Sequence, residues 1–159
     1  MSKLQTQQMF ETVIPLKKVA LSPSYGNVIG LNDGRLRGAW GRGSGDPLYP
    51  IQSNISTDGG RTWSDPQPLK LTTGQDMMGV MDGNLIRLRS GMLGFVHRAK
   101  VWRGAGFEGD YRTQIHFHKS ENEGNTWSPP IEINPPHQRD CLTNEVCIVL
   151  DDGRIIVPV

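Results

Sequence analysis

Ser56-Thr57-Asp58-Gly59-Gly60-Arg61-Thr62-Trp63 is answered 64 residues later (56 to 120) by Ser120-Glu121-Asn122-Glu123-Gly124-Asn125-Thr126-Trp127. Both stretches run on into serine and proline, Ser64-Asp65-Pro66 and Ser128-Pro129-Pro130. A phrase repeated at that interval marks a repeated β-unit, so the repeat constrains the fold before any other feature does. Its residues are those of a turn locked by its own side chains. An acidic or amide group accepts hydrogen bonds from nearby backbone N–H groups, glycine takes the positive φ that the reversal demands, and tryptophan folds back as an apolar plug. A side chain consumed by its own turn cannot also serve a substrate, so Asp58 and Asn122 read as structural.

A second repeat keeps the same time. Asn27-Val28-Ile29-Gly30-Leu31-Asn32-Asp33-Gly34-Arg35-Leu36 aligns with Asn84-Leu85-Ile86-Arg87-Leu88-Arg89-Ser90-Gly91-Met92-Leu93 and with Val146-Cys147-Ile148-Val149-Leu150-Asp151-Asp152-Gly153-Arg154-Ile155. Each is an apolar run, a short turn ending in glycine, and a second apolar run, the sequence form of a tight hairpin. The period of about sixty residues is somewhat longer than the ~40–50 of common propeller blades.

Within each period the order is inner hairpin, variable loop, third strand, repeat turn and last strand. Gln52-Ser53-Asn54-Ile55 and Thr113-Gln114-Ile115-His116-Phe117-His118 precede the turns; Gln67-Pro68-Leu69-Lys70-Leu71 and Ile131-Glu132-Ile133 follow them. Four short antiparallel strands per period make a propeller blade, and no stretch has convincing helical periodicity. The expected fold is all-β, a partial β-propeller within one domain over residues 1–159, with blade one at about 24–72, blade two at about 80–134 and the start of blade three at about 144–159. A closed propeller needs at least about four blades. Two blades and a beginning therefore predict the N-terminal part of a longer propeller, a six-bladed ring on the resemblance given below, whose remaining blades are this segment's partners, because a partial ring leaves strand edges and an interblade face uncovered.

Composition removes several function classes. Lys and Arg total 17 against 16 Asp and Glu, with no basic run, so neither nucleic acid nor an anionic membrane is an expected partner. No apolar stretch reaches the length of a membrane span. Met1-Ser2-Lys3-Leu4-Gln5 lacks the apolar core of a signal peptide, which predicts a cytoplasmic protein if Met1 is the true start. Cys141 and Cys147 form no CxxC pair, and Cys147 falls in an apolar strand where a thiol acts as a small hydrophobe. The glycine-rich stretches at Gly41-Arg42-Gly43-Ser44-Gly45 and Gly104-Ala105-Gly106 lack the strand and helix that a phosphate loop needs, so no cofactor is expected. His116 and His118 share a strand face and such a pair can ligate zinc, but no third ligand lies at a supporting spacing. They read as an outward-facing polar face, and no metal site is expected.

The first turn phrase, Ser-x-Asp-x-Gly-x-x-Trp, resembles the Asp box of sialidases and related propellers; the second carries Asn122 in place of the aspartate. From Ser24 to Val159 the chain resembles the opening third of a sialidase-like protein with BNR repeats. The resemblance implies a retaining glycosidase in which a tyrosine, deprotonated by a glutamate, is the nucleophile, an aspartate is the acid/base, and three arginines grip the sugar carboxylate.

Carried over by position, the acid/base aspartate, about ten residues before the first Asp box, corresponds to Asp46 in Gly45-Asp46-Pro47-Leu48-Tyr49. The other reading of Asp46 is an ordinary Asp-Pro turn. Val80-Met81-Asp82 resembles the Met-Asp pair of bacterial sialidases whose aspartate touches substrate; alternatively Asp82 only opens the Asp82-Gly83 turn. Trp40 and Arg42 fall where the first hairpin's return strand meets the loop, to stack on or hydrogen-bond a sugar, with blade packing as the alternative for Trp40. The first arginine of the triad is missing, because Tyr25-Gly26-Asn27-Val28 has Gly26 in its place. These features leave two classes: a sialidase-like exo-glycosidase acting on a glycan, with a sugar other than sialic acid admissible, and a non-catalytic propeller that binds glycan or protein. A tyrosine, a nearby glutamate and two arginines in further blades discriminate the first from the second.

Overall fold

The computed structural model describes residues 26–41, 50–79, 81–102, 111–134 and 147–158, excluding the side chains of residues 81, 82, 100–102 and 111–113. Every regular element among them is a strand. β1 (Gly26–Gly30), β2 (Leu36–Trp40), β3 (Gln52–Ser56) and β4 (Gln67–Pro68) form one antiparallel sheet in chain order. β5 (Met81–Arg87), β6 (Leu93–Trp102), β7 (Tyr111–Ser120) and β8 (Ile131–Glu132) form a second with the same order, and β9 (Ile148–Val149) pairs with β10 (Ile155–Ile156) as a third hairpin. The fold is a partial β-propeller of two four-stranded blades and the opening of another.

One turn design makes all three inner hairpins. Gly34, Gly91 and Gly153 have φ of 84°, 85° and 86°. Leucine three residues earlier donates its N–H across the turn, Leu31 to the Arg35 carbonyl (2.8 Å), Leu88 to Met92 (2.9 Å) and Leu150 to Arg154 (2.8 Å). A side chain in that backbone region costs about 1–2 kcal/mol, which is why glycine holds the position each time. Leu71 to Gln75 repeats the turn a fourth time, with Gly74 at φ 84° and Leu71 donating to the Gln75 carbonyl. The sequence repeat does not mark this copy, because Lys70 and Asp76 flank it where the other copies have apolar runs.

Blade two is covered on both faces. Leu93 and Phe95 join Leu31, Ile51, Met77 and Trp127 in the core between the two sheets, whereas Val96, Ile115 and Phe117 face Cys147 on the third hairpin. Strand alternation assigns neighbouring residues of β6 to opposite cores. Ile148 and Ile156, 58% and 47% exposed, leave apolar surface open on the third hairpin.

Polar stitches fix the two sheets to each other. The Asn27 side chain behaves as an extra backbone amide, donating to the Leu85 carbonyl (2.9 Å) and accepting from the Leu85 N–H (2.7 Å). The Trp127 backbone N–H donates to the Lys70 carbonyl (2.9 Å) and the Trp127 carbonyl accepts from the Thr72 N–H (2.7 Å), so the second repeat turn is bonded to the outer edge of the first sheet.

Candidate functional site

Strand register sorts the candidate residues by end. In the first sheet Gly26, Trp40 and Gln52 lie side by side at one end, and Gly30, Leu36 and Ser56 at the other. In the second, Met81 pairs with Arg98 near one end, while Arg87, Leu93 and Ser120 align at the opposite one. A Cβ at Gly83 would lie 3.6 Å from the Trp40 Cα, so the start of β5 abuts the end of β2. Both repeat turns and all three inner hairpin turns leave from the other ends of their strands.

Asp82 lies at an irregularity in this register, where the pairing of β5 with β6 shifts between Met81 and Gly83. Bulges of this kind bend a strand and re-aim its side chains, and they recur beside active sites. Trp40 is buried, with 8% exposed, so its ring is packed and not presented to solvent. Asp46 and Arg42 lie outside the described residues; Gly41 and Pro50, which flank their segment, adjoin the Trp40 end of the first sheet. At Gly26, the position of the missing arginine, a Cβ would fall 2.2 Å from the Ala39 carbonyl oxygen and 2.7 Å from the Trp40 Cβ. This backbone therefore has no room for any side chain there.

The repeat turns have no chemistry to spare. Ser56 Oγ donates to Asp58 Oδ1 (2.9 Å) and accepts from the Gly60 N–H (2.8 Å), while Asp58 accepts from the Thr62 N–H (2.8 Å) and hydroxyl (2.6 Å). These Thr62 bonds hold the Asp58 carboxyl well below the usual carboxylate range. The second turn reproduces the pattern: Ser120 Oγ donates to Asn122 Oδ1 (3.0 Å) and accepts from the Gly124 N–H (2.9 Å), and Asn122 Oδ1 accepts from the Thr126 N–H (2.9 Å). Their tryptophans differ. Trp127 is fully buried against Phe95, with ring centroids 5.6 Å apart, whereas Trp63 is half-buried.

A cleft of about 250 Å³ opens at the turn end, between the first sheet and residues Gly124 and Asn125. Its buried Arg37 donates to Ser53 Oγ (3.1 Å) and Asn125 Oδ1 (3.2 Å), and desolvation lowers the pKa of its guanidinium. The cation is committed to holding blade to turn.

The histidines depart furthest from expectation. His97 of β6 lies opposite His116 of β7, and His118 lies opposite Phe95, so all three rings occupy one face of the second sheet. That face is turned toward the first blade, and His97 and His118 are buried, not outward-facing. The third ring is the ligand that linear spacing does not reveal, since residues 97 and 116 become neighbours only through strand pairing. Burial pushes the pKa of His97 far down, aided by its two histidine neighbours, lowers that of His118 against the pull of the Ser128 carbonyl, and brings that of His116 to about 4. Cys147 is a buried free thiol whose pKa burial raises to about 11, in keeping with a small apolar residue.

No family model and no curated protein matches the chain. Several solved structures share its fold, among them the following two. A protein of unknown function from Dyadobacter fermentans DSM 18053 superposes with a TM-score of 0.61 at 18% identity, over 83% of this chain and 44% of its own. The Hadza microbial sialidase Hz136 superposes with a TM-score of 0.58 at 21% identity, over 86% of this chain and 32% of its own. The chain thus has a sialidase-like fold and spans less than half the length of either structure.

Proposed function

We propose that this chain builds the first blades of a sialidase-like exo-glycosidase that hydrolyses a terminal sugar from a glycan. The observation that carries the reading is the irregular start of β5 at Asp82, set against the end of β2 at the rim opposite the repeat turns, in a fold similar to that of a microbial sialidase. On this reading Asp46 is the acid/base that gives its proton to the glycosidic oxygen as the bond to the sugar breaks. Asp82 and Arg42 contact the sugar, and the packed Trp40 forms the floor beneath them. Further blades of a six-bladed ring would cover the apolar face left open at Ile148 and Ile156 and supply the nucleophile. The steric block at Gly26 removes one arm of a carboxylate clamp, which favours a terminal sugar other than sialic acid.

The test uses the complete protein with aryl glycosides of sialic acid and of neutral sugars. Hydrolysis of a neutral-sugar substrate is expected to exceed that of the sialoside. Asp46→Asn should slow substrates with poor leaving groups by about 10²–10⁴-fold and spare those whose leaving group needs no proton. Equal loss on both substrates removes Asp46 from the mechanism, and failure to cleave any of the glycosides sinks the enzymatic reading.

A further inference from the structure

His97 Nε2 and His118 Nε2 face each other 3.1 Å apart, buried on the face of the second sheet turned toward the first. Each ring's other nitrogen is directed at a backbone carbonyl: His118 Nδ1 lies 2.7 Å from the Ser128 oxygen and His97 Nδ1 lies 3.3 Å from the Arg98 oxygen. A carbonyl only accepts, so it holds the proton on Nδ1 and leaves Nε2 with a lone pair. Two lone pairs at that separation repel unless something positive lies between them. Nitrogens sharing a tetrahedral zinc at about 2.0–2.1 Å are about 3.3 Å apart, close to the spacing present here.

The third ring is oriented by a relay. Glu132 Oε2 accepts from Gln114 Nε2 (2.9 Å), which turns Gln114 Oε1 toward His116 Nε2 (2.8 Å). Gln114 Oε1 thereby fixes the proton on His116 Nε2 and leaves Nδ1 as the electron-pair donor. One ring nitrogen from each of the three residues lies within 4.8 Å of those from the other two. His116 is the outlying ring, its centroid 5.4 Å from that of His97 and 6.2 Å from that of His118, against 5.1 Å between His97 and His118. Imidazoles whose second nitrogen is hydrogen-bonded to a carbonyl or a carboxylate-backed amide form the usual inner and outer shell of a zinc site.

We propose that His97, His116 and His118 form a divalent transition-metal site of the zinc class that fastens β6 to β7 on the face of the second sheet turned toward the first. Neutral nitrogen donors select zinc, copper or nickel over magnesium and calcium, and the half-buried His116 marks the side open to solvent. His97 pairs with Gly83, next to Asp82, but the site does not rest on the glycosidase reading, because its ligands are the three histidine rings and none of the residues assigned to the sugar.

The test is titration of the untagged complete protein, stripped with a chelator, with zinc, cobalt(II) and magnesium alone. One equivalent of zinc per chain, tetrahedral cobalt absorption bands, a Tm that rises with zinc and no response to magnesium are expected. His116→Gln, the substitution least disturbing to the buried pair, should abolish the cobalt bands. Gln114→Ala, which keeps all three ligand rings, should weaken zinc binding by about 10–100-fold while circular dichroism stays native. Absence of stoichiometric zinc binding by the folded protein, or unchanged affinity in folded His116→Gln, overturns the proposal and leaves a proton shared between His97 and His118 as the bridge.

Discussion

Arg87 and Glu123 meet as a two-pronged ion pair, with Arg87 Nη1 donating to Glu123 Oε1 at 2.6 Å and Arg87 Nη2 to Oε2 at 3.0 Å. The same guanidinium reaches the Gly30 carbonyl (2.9 Å) on blade one, and Glu123 accepts from the backbone N–H (3.1 Å) and side-chain amide (3.0 Å) of Asn32. Glu123 does this from a left-handed backbone, φ 57°, at the turn position where the first copy has Gly59 at φ 71°. Backbone strain is thus accepted in exchange for a carboxylate that joins the second repeat turn to both inner strands.

Two substitutions separate the strain from the clamp. Glu123→Ala keeps a Cβ in the left-handed region and loses the carboxylate, whereas Glu123→Gly loses the carboxylate and relieves the strain. Chemical denaturation of the complete protein should find Glu123→Ala less stable than Glu123→Gly by about 1 kcal/mol. Equal stabilities would mean that the turn relaxes and no strain is stored.

The clamp also predicts an acid limb. Hydrogen bonding to Arg87 depresses the Glu123 carboxyl pKa below its ordinary 4.5. A depressed carboxyl contributes stability that is present above its unfolded pKa and lost as pH falls through the folded one. Melting temperature should therefore decline below about pH 4.5 more steeply in the parent than in Glu123→Gln. Parallel declines would assign the acid sensitivity to other carboxylates.

The repeat-turn tryptophans should differ in consequence. Trp127 is fully enclosed between the blades and lies tilted against Phe95, so Trp127→Ala should cost about 3–5 kcal/mol. Half-buried Trp63, whose ring N–H donates to the Gly60 carbonyl at 3.2 Å, should cost less. Denaturant midpoints of the two variants check the order, and a larger loss at Trp63 would contradict it.

Asn122 should be replaceable by aspartate. Asn122 Nδ2 donates to Thr126 Oγ1 (2.9 Å), while in the first turn the Thr62 hydroxyl donates to Asp58 Oδ2 (2.6 Å). A hydroxyl serves either role by rotating, so Asn122→Asp should change stability by no more than about 0.5 kcal/mol. A large loss in thermal or denaturant unfolding would show that Thr126 is not free to turn.

Local chemistry is what the sequence by itself determined. The two turn phrases and the three leucine-to-glycine hairpins each close within a few residues, so their bonding is written in adjacent letters, and their common period yields the antiparallel blades. The fourth turn at Leu71–Gln75 escaped because its flanks are polar. Tertiary structure alone decided what lies across a strand pair or between sheets. Pairing of β6 with β7 delivers His97 to His116 and His118, and the meeting of two blades turns a face read as solvent-exposed into an interior. Packing likewise separates Trp127 from Trp63 despite their matching phrases, and closes the space at Gly26. Spacing along the chain carries no record of these contacts, because each depends on register and on the neighbouring sheet.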